Sequence, residues 1–141
     1  MRLKHSPLLH GLVVDDDQGM RSFAADVLSE AGFAVVSAAD PEEALRIARQ
    51  QTHALDFLLT DYEMGPSDGL ALAAAMRGMF PSMRVIVMSG WAPDTVPYIG
   101  VADIFLRKPF SPAVLCRTLR GILNVGQTSN NPAATPCSAR H

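Results

Sequence analysis

The sequence predicts an α/β protein built on one doubly wound sheet of five parallel strands. Five short, nearly uninterrupted apolar runs alternate with segments in which apolar residues recur every three or four positions. Uninterrupted apolar runs are typical of strands buried on both faces, whereas the three- or four-residue spacing is typical of amphipathic helices. Because crossovers between parallel strands are right-handed, this alternation favours a sheet with helices on both faces.

The boundaries of these elements follow from the apolar runs and from the residues that start and stop helices. The predicted strands occupy residues 8–14, 33–38, 54–61, 84–89 and 103–108. Asp40 and Ser111 are N-cap residues, and each is followed by a proline at the first helical position. Gly32 is placed to end the first helix. Pro93 and Pro97 fall between the fourth and fifth strands, so an irregular helix is expected there.

The composition indicates one globular domain without a strong charge. The chain has 141 residues, 48% of them apolar, and a net charge of −2, which does not indicate nucleic acid or a membrane as a partner. We expect the domain to cover residues 1–124 and the polar residues 125–141 to form a disordered tail. Cys116 and Cys137 show neither zinc spacing nor a disulfide framework, and no signal peptide or membrane span is evident. A reduced, cytoplasmic setting is therefore expected.

Reactive side chains lie at the carboxyl ends of four predicted strands. They are Asp15-Asp16, Asp61, Ser89-Gly90 and Lys108. In a doubly wound sheet these ends meet at the ligand-binding edge. Carboxylates about 5 Å apart repel by roughly 3 kcal/mol per pair at an effective dielectric constant of 20, so a cation is expected among them, and oxygen ligands favour Mg²⁺. Lys108 adds a positive charge that suits a phosphoryl group, and a carboxylate can itself be the nucleophile that accepts it.

Five motifs occur in a fixed order along the chain. They are Val13-Val14-Asp15-Asp16, Asp61-Tyr62-Glu63-Met64, Asp68-Gly69-Leu70, Val87-Met88-Ser89-Gly90 and Lys108-Pro109-Phe110. Together they resemble the receiver domains of two-component response regulators, over about residues 9–124. The resemblance implies a flavodoxin-like (βα)5 fold and a stand-alone protein of the chemotaxis type.

The resemblance also implies a phosphoacceptor and a Mg²⁺ site. Asp61 is similar to the phosphoacceptor and also belongs to the metal site. Asp16 resembles the direct metal ligand, and Asp15 resembles the acid that holds metal-bound water. The backbone carbonyl of Glu63 resembles a further metal ligand. Asp17, by contrast, is expected to be the N-cap of the first helix.

A second group of residues resembles the parts of the family that respond to phosphorylation. Ser89 is similar to the switch hydroxyl, and Lys108 to the lysine that contacts the phosphoryl group. The amide of Gly90 is expected to contact the phosphoryl group as well. Phe105 occupies the place of the aromatic switch residue, although an apolar residue is expected there for core packing alone. Pro109 follows the lysine at a position where the family often has a cis peptide bond.

The chain departs from the family pattern in two regions. The loop after Asp61 reads Met64-Gly65-Pro66 where the family usually has Met-Pro. The segment between Ser89 and Lys108 is shorter than usual by about one helical turn, so a shortened or irregular fourth helix is expected. Trp91 and Glu63 hold positions that tune the lifetime of the phosphoryl group in this family.

The implied function is signalling, with no enzyme activity beyond the domain's own phosphorylation and dephosphorylation. The expected donor is a sensor histidine kinase or a histidine phosphotransfer protein. The expected output is contact with another protein, because no DNA-binding segment follows residue 124.

Three alternatives remain open from the sequence. A receiver-like interaction module without phosphorylation is favoured by the shortened fourth segment and opposed by the intact Asp16, Asp61 and Lys108 set. An aspartyl-phosphate phosphatase would use Glu63 as its second acid, but 141 residues leave no room for a cap domain. A flavin-binding protein of the same topology would need a loop rich in Ser, Thr and Gly after the first strand.

Overall fold

The structure is a computed structural model that describes residues 8–64, 67–90 and 102–124. Its elements in chain order are β1 (His10–Val14), α1 (Gln18–Glu30), β2 (Ala34–Ala38), α2 (Pro41–Arg49), β3 (Phe57–Asp61), β4 (Glu63–Met64), β5 (Ser67–Asp68), α3 (Gly69–Arg77), β6 (Arg84–Ser89), β7 (Ile104–Arg107) and α4 (Pro112–Leu123). None of the helices in these ranges is long and apolar enough to cross a membrane.

Five of the strands form one parallel sheet in the order β2-β1-β3-β6-β7. The chain runs outward from β1 to β2 and then returns to place β3 on the other side of β1. This reversal opens a crevice at the carboxyl ends of β1 and β3, where doubly wound sheets bind their ligands. The predicted five-stranded parallel sheet is confirmed. The antiparallel β4–β5 ribbon that follows β3 was not predicted.

Helices cover both faces of this sheet, as expected. On one face, α1 and α4 pack over a cluster that contains Val13, Leu59 and Ile86. On the other face, α2 and α3 pack over a cluster that contains Leu12 and Leu58. Neighbouring residues of a strand therefore enter opposite cores, which explains why the strands read as continuous apolar runs.

The residues predicted to start and stop helices do so. The side-chain oxygens of Asp17, Asp40 and Ser111 each accept a hydrogen bond from the backbone amide three residues later, at the starts of α1, α2 and α4. Gly32 follows α1 with a φ of 102°, in the left-handed region that glycine adopts without a steric penalty. The local sequence thus sets the helix starts before any tertiary contact is considered.

Several strand boundaries differ from the prediction by one to three residues, and two predictions fall outside the described residues. β1 starts two residues and β3 three residues later than expected, and Leu55 before β3 is buried without being part of the strand. An apolar run can indicate that residues are buried, but it does not show where they begin to pair with a neighbouring strand. The expected irregular fourth helix falls within 91–101, and the expected tail within 125–141. The domain boundary at residue 124 stays a prediction.

Cys116 lies on the buried side of α4, with 2% of its surface exposed, and it takes part in a disulfide bond. The expected core position is confirmed, whereas the expected reduced thiol is wrong. A helix pattern predicts burial, but it does not predict the oxidation state of a sulfur atom. The other cysteine of the chain falls outside the described residues.

Gly11 provides a test of this packing, because it lies opposite Phe57 of β3 and a Cβ atom there would overlap the fully buried Phe57 ring. Gly11→Ala is therefore expected to lower the free energy of unfolding by about 1–3 kcal/mol, as overpacked cores do. The measurement is urea unfolding followed by circular dichroism. Gly121→Ala in α4 is the matched control, since a Cβ there has no atom within 4 Å. It should stabilise the protein by about 0.5–1 kcal/mol. Equal destabilisation by both variants would contradict the packing assignment.

Candidate functional site

Three charged side chains meet at the carboxyl ends of β1, β3 and β7. The Lys108 ammonium donates one hydrogen bond to Asp15 Oδ2 and another to Asp61 Oδ1, each 3.0 Å long. Lys108 is 93 residues from Asp15 and 47 residues from Asp61 along the chain. The fold therefore brings together side chains that local sequence does not connect.

Burial makes this contact electrostatically important. Asp15 is fully buried, Asp61 is 4% exposed, and the Lys108 side chain is 22% exposed. A buried carboxylate without a partner is strongly destabilising, so Lys108 compensates both acids at once. One ammonium against two carboxylates still leaves an excess of negative charge. Asp16, which is exposed, adds to this excess at the mouth of the pocket.

The three acids can share a cation. One carboxylate oxygen from each of Asp15, Asp16 and Asp61 lies within 4.8 Å of the other two. Hard oxygen ligands of net negative charge suit Mg²⁺, which also keeps several waters in its coordination shell. The donor set therefore fits the ion that the sequence predicted.

Both carboxylate oxygens of Asp15 accept hydrogen bonds. The backbone amide of Asp17 donates to Asp15 Oδ1 at 2.9 Å, and Lys108 occupies Oδ2. The Arg21 guanidinium donates to the Asp15 backbone carbonyl at 2.8 Å. The Asp15 carboxylate is thus fixed, whereas Asp16 extends towards solvent. Arg21 was missed from the sequence because its role depends on where α1 places its first turn.

The backbone around Asp61 is held by close packing against α3. The Thr60 hydroxyl donates to the Asp61 carbonyl at 3.0 Å, and the Gly69 amide donates to the Tyr62 carbonyl at 3.0 Å. A Cβ on Gly69 would overlap the Asp61 carbonyl oxygen, so only glycine permits this approach. The Asp68-Gly69 motif was the sequence signal, but the reason for the glycine is a tertiary contact.

Ser89 ends β6 and is 2% exposed. Its hydroxyl donates to Glu63 Oε2 at 3.0 Å, while its carbonyl accepts from the Lys108 amide at 2.8 Å. The sequence predicted a metal-binding backbone carbonyl at Glu63, but it did not predict the hydrogen bond between the Glu63 side chain and Ser89. Gly90 follows Ser89 directly and is exposed.

Two features near Lys108 were expected from the family resemblance, a cis peptide bond before Pro109 and an aromatic side chain at Phe105. The Lys108–Pro109 peptide bond is cis, as the resemblance implied. Phe105 is half-buried and packs against the core on the α2 and α3 side of the sheet. This packing agrees with the plainer of its two expected roles, and its role as a switch stays a prediction.

The pocket shifts the pKa values of the two groups that face each other across it. Burial raises the pKa of Asp61 to about 6; the Lys108 hydrogen bond opposes the rise, and the Asp15 and Glu63 charges add to it. Burial alone would lower the pKa of Lys108, but its hydrogen bonds to Asp61 and Asp15 outweigh that effect and raise it. At neutral pH Lys108 is therefore charged and most Asp61 carboxylates are ionised. An ionised carboxylate beside an ammonium can act as a nucleophile.

The raised pKa of Asp61 predicts a pH-dependent loss of stability in metal-free buffer. The folded protein keeps the Asp61 proton up to about pH 6, whereas the unfolded chain loses it near 3.8. The stabilisation is thus complete below the unfolded pKa and is lost as the pH rises through 6. From pH 4 to 7, the free energy of unfolding of the wild type should fall by about 2–3 kcal/mol relative to Asp61→Asn. Urea unfolding in EDTA measures the difference, and parallel pH profiles would contradict the shift.

Comparisons with known proteins identify the family of this chain. The family model described as the response regulator receiver domain matches residues 12–120. The sensor kinase CckA of Brucella abortus is 32% identical over 115 residues, which cover 79% of this chain and 12% of that protein. The alkaline phosphatase synthesis transcriptional regulatory protein SphR of Synechococcus elongatus is 30% identical over 146 residues, covering 96% of this chain and 56% of SphR. The chain thus spans about half, or less, of the length of these relatives.

A solved structure shows the same fold. The chemotaxis response regulator CheY4 of Vibrio cholerae superposes with a TM-score of 0.73 and 26% identity, over 82% of this chain and 99% of CheY4. The match includes the flavodoxin-like sheet and the helices on its two faces. On the strength of the family match over residues 12–120, this chain belongs to the receiver domains of response regulators.

Proposed function

We propose that this receiver domain accepts a phosphoryl group on Asp61 and signals through contact with another protein. The observation that carries the proposal is the bridge from Lys108 to both Asp15 and Asp61 in a buried pocket at the strand ends. The site provides a nucleophilic carboxylate, a fixed ammonium and excess negative charge for a divalent cation. The family match supports the same role.

The proposed reaction transfers the phosphoryl group from phosphohistidine. An Asp61 carboxylate oxygen forms the new O–P bond while the P–N bond of the donor breaks, and the donor imidazole keeps the electron pair. Lys108 then moves one hydrogen bond from the carboxylate to a phosphoryl oxygen. Positioning and charge stabilisation supply most of the catalysis in phosphoryl transfer, and Asp61 and Lys108 contribute to both.

Mg²⁺ is the cofactor that this donor set fits. Asp16 and Asp61 would hold it with their carboxylates and Asp15 through bound water. The backbone carbonyl of Glu63 is the further ligand that the family resemblance implies. When bound, the ion neutralises charge on the transferring phosphoryl oxygens. The chain's own contribution is to keep Asp15 fixed and Asp16 accessible.

A sensor histidine kinase or a histidine phosphotransfer protein is the proposed donor. The relatedness to a segment of a sensor kinase supports a place for this domain in such a pathway. The output partner is inferred to be a protein, and a cytoplasmic location is inferred from the same pathway.

The rival functions have less support from the site. In a phosphatase, Glu63 would act as a general acid, but here its carboxylate accepts a hydrogen bond from Ser89. A module that had lost phosphorylation would not need a buried ion-pair bridge, whose desolvation cost makes it a poor source of stability. We therefore infer no turnover of external substrates.

Phosphoryl uptake is tested with acetyl phosphate and intact mass spectrometry. Wild type should gain one phosphoryl group in the presence of Mg²⁺ and none in EDTA, because the cation offsets the charge of the pocket. Asp61→Asn should gain none. Asp26→Asn, which removes the same charge from an exposed position on α1, is the matched control and should behave as wild type. Equal labelling of Asp61→Asn and wild type would refute Asp61 as the acceptor.

Direct metal binding is tested by calorimetric titration with Mg²⁺. Asp16→Asn should weaken binding at least about tenfold, since loss of one charged oxygen from a hard-cation site removes a major ligand interaction. Asp17→Asn is the control, because asparagine keeps the helix cap and leaves the predicted ligands unchanged. If Asp16→Asn binds Mg²⁺ as tightly as wild type does, Asp16 is not a ligand of the ion.

A further inference from the structure

We propose that the Glu63 side chain is a positioning residue that holds the Ser89 hydroxyl in the unphosphorylated protein and competes with the phosphoryl group for it. This inference rests on the proposed function, because the competitor is a phosphoryl group on Asp61. It assigns to the Glu63 carboxylate a role separate from the metal-binding role predicted for its backbone carbonyl.

The inference rests on a contact between the segment that follows Asp61 and the end of the neighbouring strand β6. Glu63 lies two residues after Asp61, and Ser89 directly follows Met88, the strand partner of Asp61 in β6. The Ser89 Oγ to Glu63 Oε2 distance is 3.0 Å, in the range of a good hydrogen bond. The Glu63 side chain therefore reaches back across the end of the sheet to the neighbouring strand.

The backbone of Ser89 is held in place, so its hydroxyl can change partner only by rotation of the side chain. The Lys108 amide donates to the Ser89 carbonyl at 2.8 Å, so the end of β6 is fixed against β7. Ser89 is 2% exposed, whereas Glu63 is exposed. The buried hydroxyl thus stays beside the pocket, and the exposed carboxylate is the partner that can leave.

One hydroxyl proton cannot fully serve two strong acceptors. A serine hydroxyl has a single donor, and an ionised carboxylate is an acceptor only. A phosphoryl group on Asp61 would present new charged oxygens, to which hydrogen bonds are strong. Moving the Ser89 proton to the phosphoryl group therefore means losing its hydrogen bond to Glu63.

Glu63 also acts on the pocket through its charge. Its carboxylate is one of the charges that raise the pKa of Asp61, so the field of Glu63 reaches the phosphoacceptor. Removal of Glu63 should therefore favour an anion on Asp61 in two ways, by releasing Ser89 and by reducing repulsion. A test has to separate these two contributions.

A double-mutant cycle with beryllofluoride, an analogue of the phosphoryl group, separates them. The dissociation constant is measured by calorimetry in saturating Mg²⁺ for wild type, Glu63→Ala, Ser89→Ala and the double variant. Glu63→Ala should tighten binding about tenfold when Ser89 is present, since a hydrogen bond to a charged group and a repulsion are both removed. With alanine at 89 the gain should fall to about two- to threefold, the repulsion alone.

A second readout needs no ligand. In the metal-free protein, NMR scalar couplings should show one Ser89 χ1 rotamer in wild type and averaging among rotamers in Glu63→Ala. Glu30→Ala is the matched control, because it removes the same charged side chain at the end of α1, away from the strand carboxyl ends. This control should leave both the rotamer and the affinity for beryllofluoride unchanged.

The outcomes separate the two proposals. Equal tightening by Glu63→Ala in both backgrounds, or an unchanged Ser89 rotamer, would overturn the role of Glu63 and leave the receiver function intact. A wild type that takes up neither beryllofluoride nor a phosphoryl group would overturn the proposed function, and the competition with it. A gain that depends on Ser89, together with rotamer averaging, supports the inference.

Discussion

The contact of one lysine with two buried carboxylates is the constraint on which the rest of this domain depends. Lys108, Asp15 and Asp61 come from the ends of three different strands, and none of the three tolerates burial alone. Such a bridge adds little net stability, because desolvation offsets most of the attraction. Its presence in a largely apolar sheet is therefore best explained by chemistry at the strand ends, where the order of the sheet opens a crevice between β1 and β3.

The surrounding residues keep this bridge in place through the backbone. The Asp17 amide and the Arg21 guanidinium hold Asp15, while Thr60 and Gly69 hold the main chain at Asp61. Each contact fixes a carbonyl or a carboxylate that the pocket needs in one orientation. The reactive oxygens of Asp61 then have little freedom, which lowers the entropic cost of reaching a productive geometry.

The same pocket connects the charge of Asp61 to the hydrogen bond of the Ser89 hydroxyl. Burial and neighbouring acids raise the pKa of Asp61 to about 6, while Lys108 opposes the rise and keeps the carboxylate largely ionised at neutral pH. Glu63 contributes to that field and also accepts the hydrogen bond of Ser89. Under the proposed mechanism, a phosphoryl group on Asp61 would therefore act on Ser89 both through its charge and through exchange of a hydrogen-bond acceptor. The signal would begin with this exchange, in a region where β6 and β7 are already tied together by the Lys108 amide.

The sequence by itself determined the parallel α/β sheet, the helix caps at Asp17, Asp40 and Ser111, and the placing of acids and a lysine at strand ends. These features depend on local patterns, since apolar runs, caps and strand ends can be recognised from residues that are close together in the sequence. Only the tertiary structure decided that Lys108 bridges Asp15 and Asp61, that Gly69 must lack a side chain, that Cys116 is oxidised and that Glu63 binds Ser89. The contacts of Lys108, Gly69 and Glu63 join different segments of the chain, and their distances and burial depend on how the strands and helices pack together.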